Sequence, residues 1–270
     1  MKSQQKALLM GAAIVLLAPI ASWALTGGEG LKGTAHDFVL GSSPNTDGTA
    51  AAGIGLCTYC HTPHKAITTS LLWNHTLSTQ TFSWDVPATT AGTTFATFKG
   101  DTYKGATAKC LSCHDGSVAV GDIAWFQEGP HQGASALSTV AHSSPGDEFN
   151  IANATTGSMA GNHPVAMPFP WNNTNNTYNG VTNGANLQTA EWQSDPWAGG
   201  AGTNGTHIRL FNDDGAGNIT AGPVATKTGI ECSSCHDPHN KASVDDLFLR
   251  GKLTGTASTD GYLCLQCHNK

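Results

Sequence analysis

The longest apolar run in this chain comes first. Ala7 to Ile20 is almost unbroken apolar sequence behind Lys2 and Lys6, and it gives way to Ser22-Trp23-Ala24, a small-x-small processing site. The run is shorter than the roughly 20 residues that a membrane-spanning helix needs, and no later stretch replaces it. The pattern predicts a signal peptide over residues 1–24, removed on export, and a single exported domain over 25–270. No cysteine lies beside the processing site, so a lipid anchor at the new N-terminus is not expected and membrane attachment would need a partner.

Downstream, Gly and Pro punctuate the sequence too often for long elements. Stretches such as 172–182 and 198–206 consist mostly of Asn, Gly, Thr and Ser. The expected fold class is irregular: mainly coil, with short helical turns at the cysteine motifs described next and a few short strands around Ile208 to Phe211. Composition sharpens the problem. With 32 Gly, 12% charged residues and 7% aromatics, the chain can bury little apolar surface of its own. A net charge of -6 is too modest to mark disorder, so something other than side chains must supply the missing apolar mass.

The cysteines say what that is. All eight fall into four pairs, each followed by histidine: Cys57-Thr-Tyr-Cys60-His61, Cys110-Leu-Ser-Cys113-His114, Cys232-Ser-Ser-Cys235-His236 and Cys264-Leu-Gln-Cys267-His268. A disulfide framework gives no reason for a histidine after every second cysteine, and zinc would accept histidine at many other offsets. Two thiols separated by two residues can add across the two vinyl groups of a porphyrin. The next residue then lies beneath the ring, where its imidazole can bind iron. The spacing therefore predicts four covalently attached c-type hemes, held by Cys57, Cys60, Cys110, Cys113, Cys232, Cys235, Cys264 and Cys267, with His61, His114, His236 and His268 as proximal ligands.

Eight histidines remain for four sixth positions: His36, His64, His75, His131, His142, His163, His207 and His239. An electron carrier fills that position permanently, whereas an enzyme leaves it open for substrate. Methionine ligation would have to use Met159 or Met167, so bis-histidine ligation at all four irons is expected. The first and third motifs extend to Cys-x-x-Cys-His-x-Pro-His, ending in His64 and His239. A histidine three residues past the proximal one cannot reach the far face of its own heme, so His64 and His239 are expected to ligate neighbouring hemes or none. His36 and His163, each beside apolar residues, are the choices for the other two positions. His75, behind Leu71-Leu72-Trp73, is held in reserve as a ligand or a hydrogen-bonding partner. His131, His142 and His207 lie in Gly, Ser and Asn-rich surroundings and are expected on the surface.

The motifs also form a duplication, an extended motif followed by one beginning Cys-Leu in each half. The segment 115–231 between the pairs is expected to wrap a row of hemes rather than fold alone. Without heme the chain is expected to be unfolded.

Taken in order, the four motifs, with His64, His163-Pro164 and His239, resemble those of the doubled-CxxCH multiheme cytochromes, and most closely the OmcE-type extracellular tetraheme cytochromes of metal-respiring bacteria. The resemblance implies a filament outside the cell with one continuous heme chain. It also implies that one sixth ligand can come from the adjacent subunit, for which His36 or His64 would be the candidate. Redox proteins or external acceptors such as metal oxides would then be the partners. A soluble periplasmic or outer-membrane-associated shuttle is the alternative, and a multiheme reductase a further one. An enzyme is not expected, because that would need an open iron site with acid, base or cationic groups beside it, and Lys and Arg are sparse around the motifs. Net negative charge and the absence of a basic cluster disfavour nucleic acid.

Overall fold

The computed structural model describes residues 30–32, 34–37, 56–67, 70–83, 105–118, 122–126, 129–131, 150–169, 171, 193, 196, 208–213, 218–222, 228–241, 243–245, 247–257 and 260–269. The expected signal peptide, His142 and His207 lie outside these residues, as does the side chain of His131.

The described residues are mostly coil, with a few short helices and a small sheet. Helical backbone occurs where the motifs are. Helix α1 (Ala106–His114) carries the second motif, α2 (Cys232–Cys235) the third, and a 3-10 turn (Cys264–Gln266) the fourth. The first motif is a turn in which the amides of Cys60 and His61 both donate to the Cys57 carbonyl, at 3.2 and 2.8 Å. His236 and His268 repeat that last bond to Cys232 and Cys264, each at 3.0 Å. A single helical turn brings positions i, i+3 and i+4 to one side, so each motif presents both sulfurs and its imidazole together.

Strands β1 (Ile123–Phe126) and β2 (Gly129–His131) form a hairpin. A second sheet is antiparallel in the order β3-β6-β4-β5, from β3 (Met167–Pro168), β4 (Phe211–Asp213), β5 (Ile219–Ala221) and β6 (Thr228–Ile230). The expected strand near Ile208 to Phe211 is thus present as β4, with Ile208 and Leu210 buried just ahead of it. Its three companions were not foreseen, because two or three residues are too few to carry an alternation of apolar and polar side chains.

The side-chain core is thin. Leu111 of α1, Ala152, Met159 and Ala166 form its centre, with Phe82, Ala108, Ile151, Val165 and Ile219 against it. Met159 is therefore spent on packing, one of the two methionines that could have served iron. Gly157 enters this region at φ +67°, where an added Cβ would collide with the Thr81 carbonyl oxygen. Among the described residues no helix is long and apolar enough to cross a membrane.

The duplication seen in the motifs extends into the backbone. A strap follows each extended motif, Leu71-Leu72-Trp73-Asn74 after the first and Leu247-Phe248-Leu249-Arg250 after the third. Thr62 N bonds the Leu72 carbonyl at 2.9 Å, and Asp237 N bonds that of Phe248 at 2.7 Å. Asn74 N bonds the Cys60 carbonyl at 2.9 Å, and Arg250 N that of Cys235 at 2.7 Å. Even the strain is shared: Leu71 and Leu72 have φ of 60° and 51°, Leu247 and Phe248 of 57° and 61°. Left-handed backbone is costly for such side chains, and it turns each strap back across its own motif.

Candidate heme-binding site

The four motifs stand next to one another in chain order. Cys60 and Cys113 lie within electrostatic reach of each other, Cys110 and Cys232 are in hydrogen-bonding contact, and Cys235 lies within reach of Cys264. A buried clamp joins the second motif to the third. The Glu231 carboxylate accepts from Thr107 N at 2.7 Å and from the Thr107 hydroxyl, which in turn accepts from Cys232 N at 3.0 Å. Glu231 therefore satisfies the N-terminus of α1 while its own backbone N–H bonds Ser234 Oγ of α2 at 2.9 Å. Lys109 is buried beside it; burial lowers its pKa and the Glu231 charge works in the other direction.

All eight cysteines are reduced and unpaired, Cys57 and Cys264 exposed and the other six half-buried. Burial pushes the thiols of Cys60, Cys113 and Cys235 up to about 12. Cys232 is raised well above the usual range, chiefly by its bond with Cys110, and Cys267 is raised by burial. Neutral thiol is the form in which sulfur enters a thioether, so these buried sites suit that bond.

In three places a motif imidazole stands near a second one. His61 and His239 have ring centres 6.1 Å apart, His36 and His114 6.1 Å, and His163 and His268 6.3 Å. Two imidazoles that share one iron, each with a nitrogen about 2 Å from it, would have ring centres roughly 6 Å apart. Rings stacked on each other directly would be closer, as His36 is to Phe248 at 4.7 Å. The nitrogens are sorted as well. Nδ1 of His61 and of His236 faces the carbonyls of Leu71 (2.6 Å) and Leu247 (2.8 Å), that of His163 the Pro164 carbonyl (2.8 Å), and that of His36 the Pro238 carbonyl (3.4 Å). Each leaves Nε2 for a metal, the usual division of labour in a ligating histidine. Burial, reinforced by the charge of His114, lowers the pKa of His36 to about 4, so it is neutral and able to donate a lone pair at ordinary pH.

Beside these rings the straps hold apolar side chains in the open, with Leu71 61% and Leu247 62% exposed. Neutral sulfurs, paired imidazoles and exposed leucines together fit an apolar macrocycle carrying an iron with two axial nitrogens.

The structure thus brings together His61 with His239, His36 with His114 and His163 with His268. His64 is exposed; His236 keeps surface exposure, yet burial lowers its pKa, and it lies within electrostatic reach of His36. His75, the reserve, is fully buried, its Nδ1 3.0 Å from the Thr76 carbonyl. The sequence reading missed the straps and the residues that tie them down. Asn74 Nδ2 bonds the Thr58 carbonyl at 2.5 Å, and in the second half Arg250 Nε bonds that of Ser233 at 3.1 Å and that of His236 at 3.2 Å. A signal was present, since both straps fall 10 or 11 residues after a motif histidine and both begin with leucine.

Residues 222–270, which contain the third and fourth motifs, match the family model described as Doubled CXXCH motif. That supports a multiheme c-type cytochrome. The CxxCH motifs indicate covalently bound heme c. No curated protein matches the chain.

Proposed function

We propose that this protein is an electron carrier holding four bis-histidine hemes, and that it works as a subunit of an extracellular filament delivering electrons to external acceptors rather than as an enzyme. When bound, heme iron supplies the one-electron chemistry by cycling between its ferric and ferrous states. The chain holds and spaces the groups. The observation that carries the reading is the set of three imidazole pairs with centres 6.1 to 6.3 Å apart, each pair joining a motif histidine to one from outside that motif. His239, three residues past His236, faces His61 instead, so the first and third motifs share a ligand and their spacing is fixed. An iron filled on both sides has no position for substrate, which is why transfer is preferred to catalysis.

The fourth site supports assembly. His236 has its Nδ1 engaged by Leu247, which leaves Nε2 for iron, while His64 is an exposed imidazole in the same position of the duplicated motif that His239 holds. With His36 facing His114, His64 is the remaining N-terminal candidate to complete His236 on an adjacent subunit. The interface is then heterologous, and repeated head to tail it builds an open filament.

Spectroscopy and microscopy test this. Pyridine hemochrome analysis should give four hemes per chain, and electron paramagnetic resonance of the native protein should show them all low-spin, with little carbon monoxide bound on reduction. Electron microscopy of material released from cells should show filaments, and His64→Ala should give discrete particles in which one heme binds carbon monoxide. Wild-type protein seen solely as particles would overturn the filament, and an open iron in the wild type would overturn the carrier.

A further inference from the structure

In each strap one side chain reaches back to bond the carbonyl of the residue after the first motif cysteine. In the first half Asn74 does this with a single amide N–H, opposite Thr58. In the second half Arg250 does it with Nε alone, opposite Ser233. The rest of the guanidinium is surplus to that task. One terminal nitrogen, Nη2, lies 3.4 Å from Asp237 Oδ1, at a position where the first half has the neutral Thr62. The other, Nη1, is buried and has no hydrogen-bonding partner among the described residues, on a side chain that is 2% exposed.

A buried guanidinium is rarely left with an unsatisfied donor, because the cost of removing it from water is then not recovered. Asp237 is not the missing acceptor: its oxygens accept from His239 N at 3.2 Å and Lys241 N at 2.9 Å, Oδ1 faces Nη2, and Nη1 bonds neither of them. Arg250 is also tied to the heme-bearing motif itself, through Cys235 O, His236 O and its charge interaction with Cys235. The acceptor has to be an anion or carbonyl that arrives with something this site receives. A porphyrin brings propionate carboxylates, and a planar fork of N–H donors is the side chain best matched to a carboxylate.

We infer that Arg250 Nη1 is a binding site for a heme propionate carboxylate. This rests on the heme reading above. Asp237 then holds the guanidinium in place from one side while the propionate accepts from the other, so the second half of the molecule fixes a porphyrin edge in a way that Asn74 and Thr62 of the first half do not. Loss of Arg250 should accordingly affect the environment of one propionate and leave the thioethers intact.

The chain's two arginines, Arg209 and Arg250, make a direct test possible. Holoprotein grown on arginine labelled with nitrogen-15 in the guanidinium and on aminolevulinate labelled with carbon-13 at C1, which becomes the propionate carboxyl, is examined by solid-state NMR dipolar dephasing. One carboxylate should be dephased in the wild type and in Arg209→Lys, and this should be lost in Arg250→Lys. If Arg250→Lys does not load heme, the Arg209→Lys sample decides alone, because Arg250 is then the only labelled arginine. Fully heme-loaded Arg209→Lys protein without dephasing would overturn the assignment and leave the heme reading standing. Protein that carries no attached heme would overturn both.

Discussion

At the scale of single residues, the site works by giving each nitrogen and oxygen one task. Leu71 and Leu247 offer carbonyls to the Nδ1 atoms of His61 and His236, and this fixes which nitrogen is left for iron. Changing His239 to Ala should leave heme content unchanged and open one iron. The check is a new carbon monoxide adduct on a single heme, absent in the wild type. The Asp237–Arg250 pair, with exposures of 9% and 2%, invites a sharper experiment. Removing one partner of a buried pair leaves an uncompensated charge, at a cost of about 3–5 kcal/mol. Arg250→Met should therefore lower stability to denaturant by that order, and adding Asp237→Asn should restore a good part of it. A double-mutant cycle in guanidinium measures the recovery; simple additivity of the two losses would mean that the pair does not act as a unit.

At the scale of elements, the molecule is built from short turns that would not hold by themselves. Helix α1 has nine residues and α2 four, below the length at which helices persist in water. They are held by one another, through Glu231, Thr107 and Ser234. Replacing Glu231 with Gln should keep its shape but weaken its bonds to Thr107, costing about 1–3 kcal/mol and loosening the second motif against the third. Thermal melts and hydrogen exchange at Thr107 and Cys232 would register this; unchanged protection would remove the clamp from the account. Much of this level was legible in the letters where chemistry demands a spacing: cysteines, proximal histidines and the His-x-Pro-His extension could be read directly, and so could the short turns that carry them. The straps could not be read in the same way, because their function lies in carbonyl groups and left-handed backbone, which any residue can supply. The four-stranded sheet was equally hidden. Its pairing is set by what the motifs bring together, and its strands are too short to show a period. Of the distal histidines, His36 and His163 could be chosen from their apolar neighbours and His64 and His239 from their spacing; His36, His163 and His239 stand near His114, His268 and His61, and His64 has no such neighbour among the described residues.

For the whole molecule the question is what occupies the middle. Among the described residues the centre of the side-chain core holds four residues, two of them alanine. That buries far too little apolar area to offset the conformational entropy of ordering so many residues, at about 1–2 kcal/mol for each backbone unit. The exposed Leu71, Leu72 and Leu247 beside the motifs are apolar surface of the kind a porphyrin would cover on the proposed reading. On that reading the porphyrins and the bonds that attach them supply the rest, in the way that a structural metal folds a small domain. Protein made where heme cannot be attached should consequently be expanded. Small-angle scattering should give a radius of gyration well above the about 18 Å of a compact chain of the mature length and toward the about 54 Å of an unfolded one, with near-ultraviolet circular dichroism flat. A compact, cooperatively melting heme-free chain would mean that the polypeptide forms a core of its own, and the motifs would then be fittings on a fold rather than its interior.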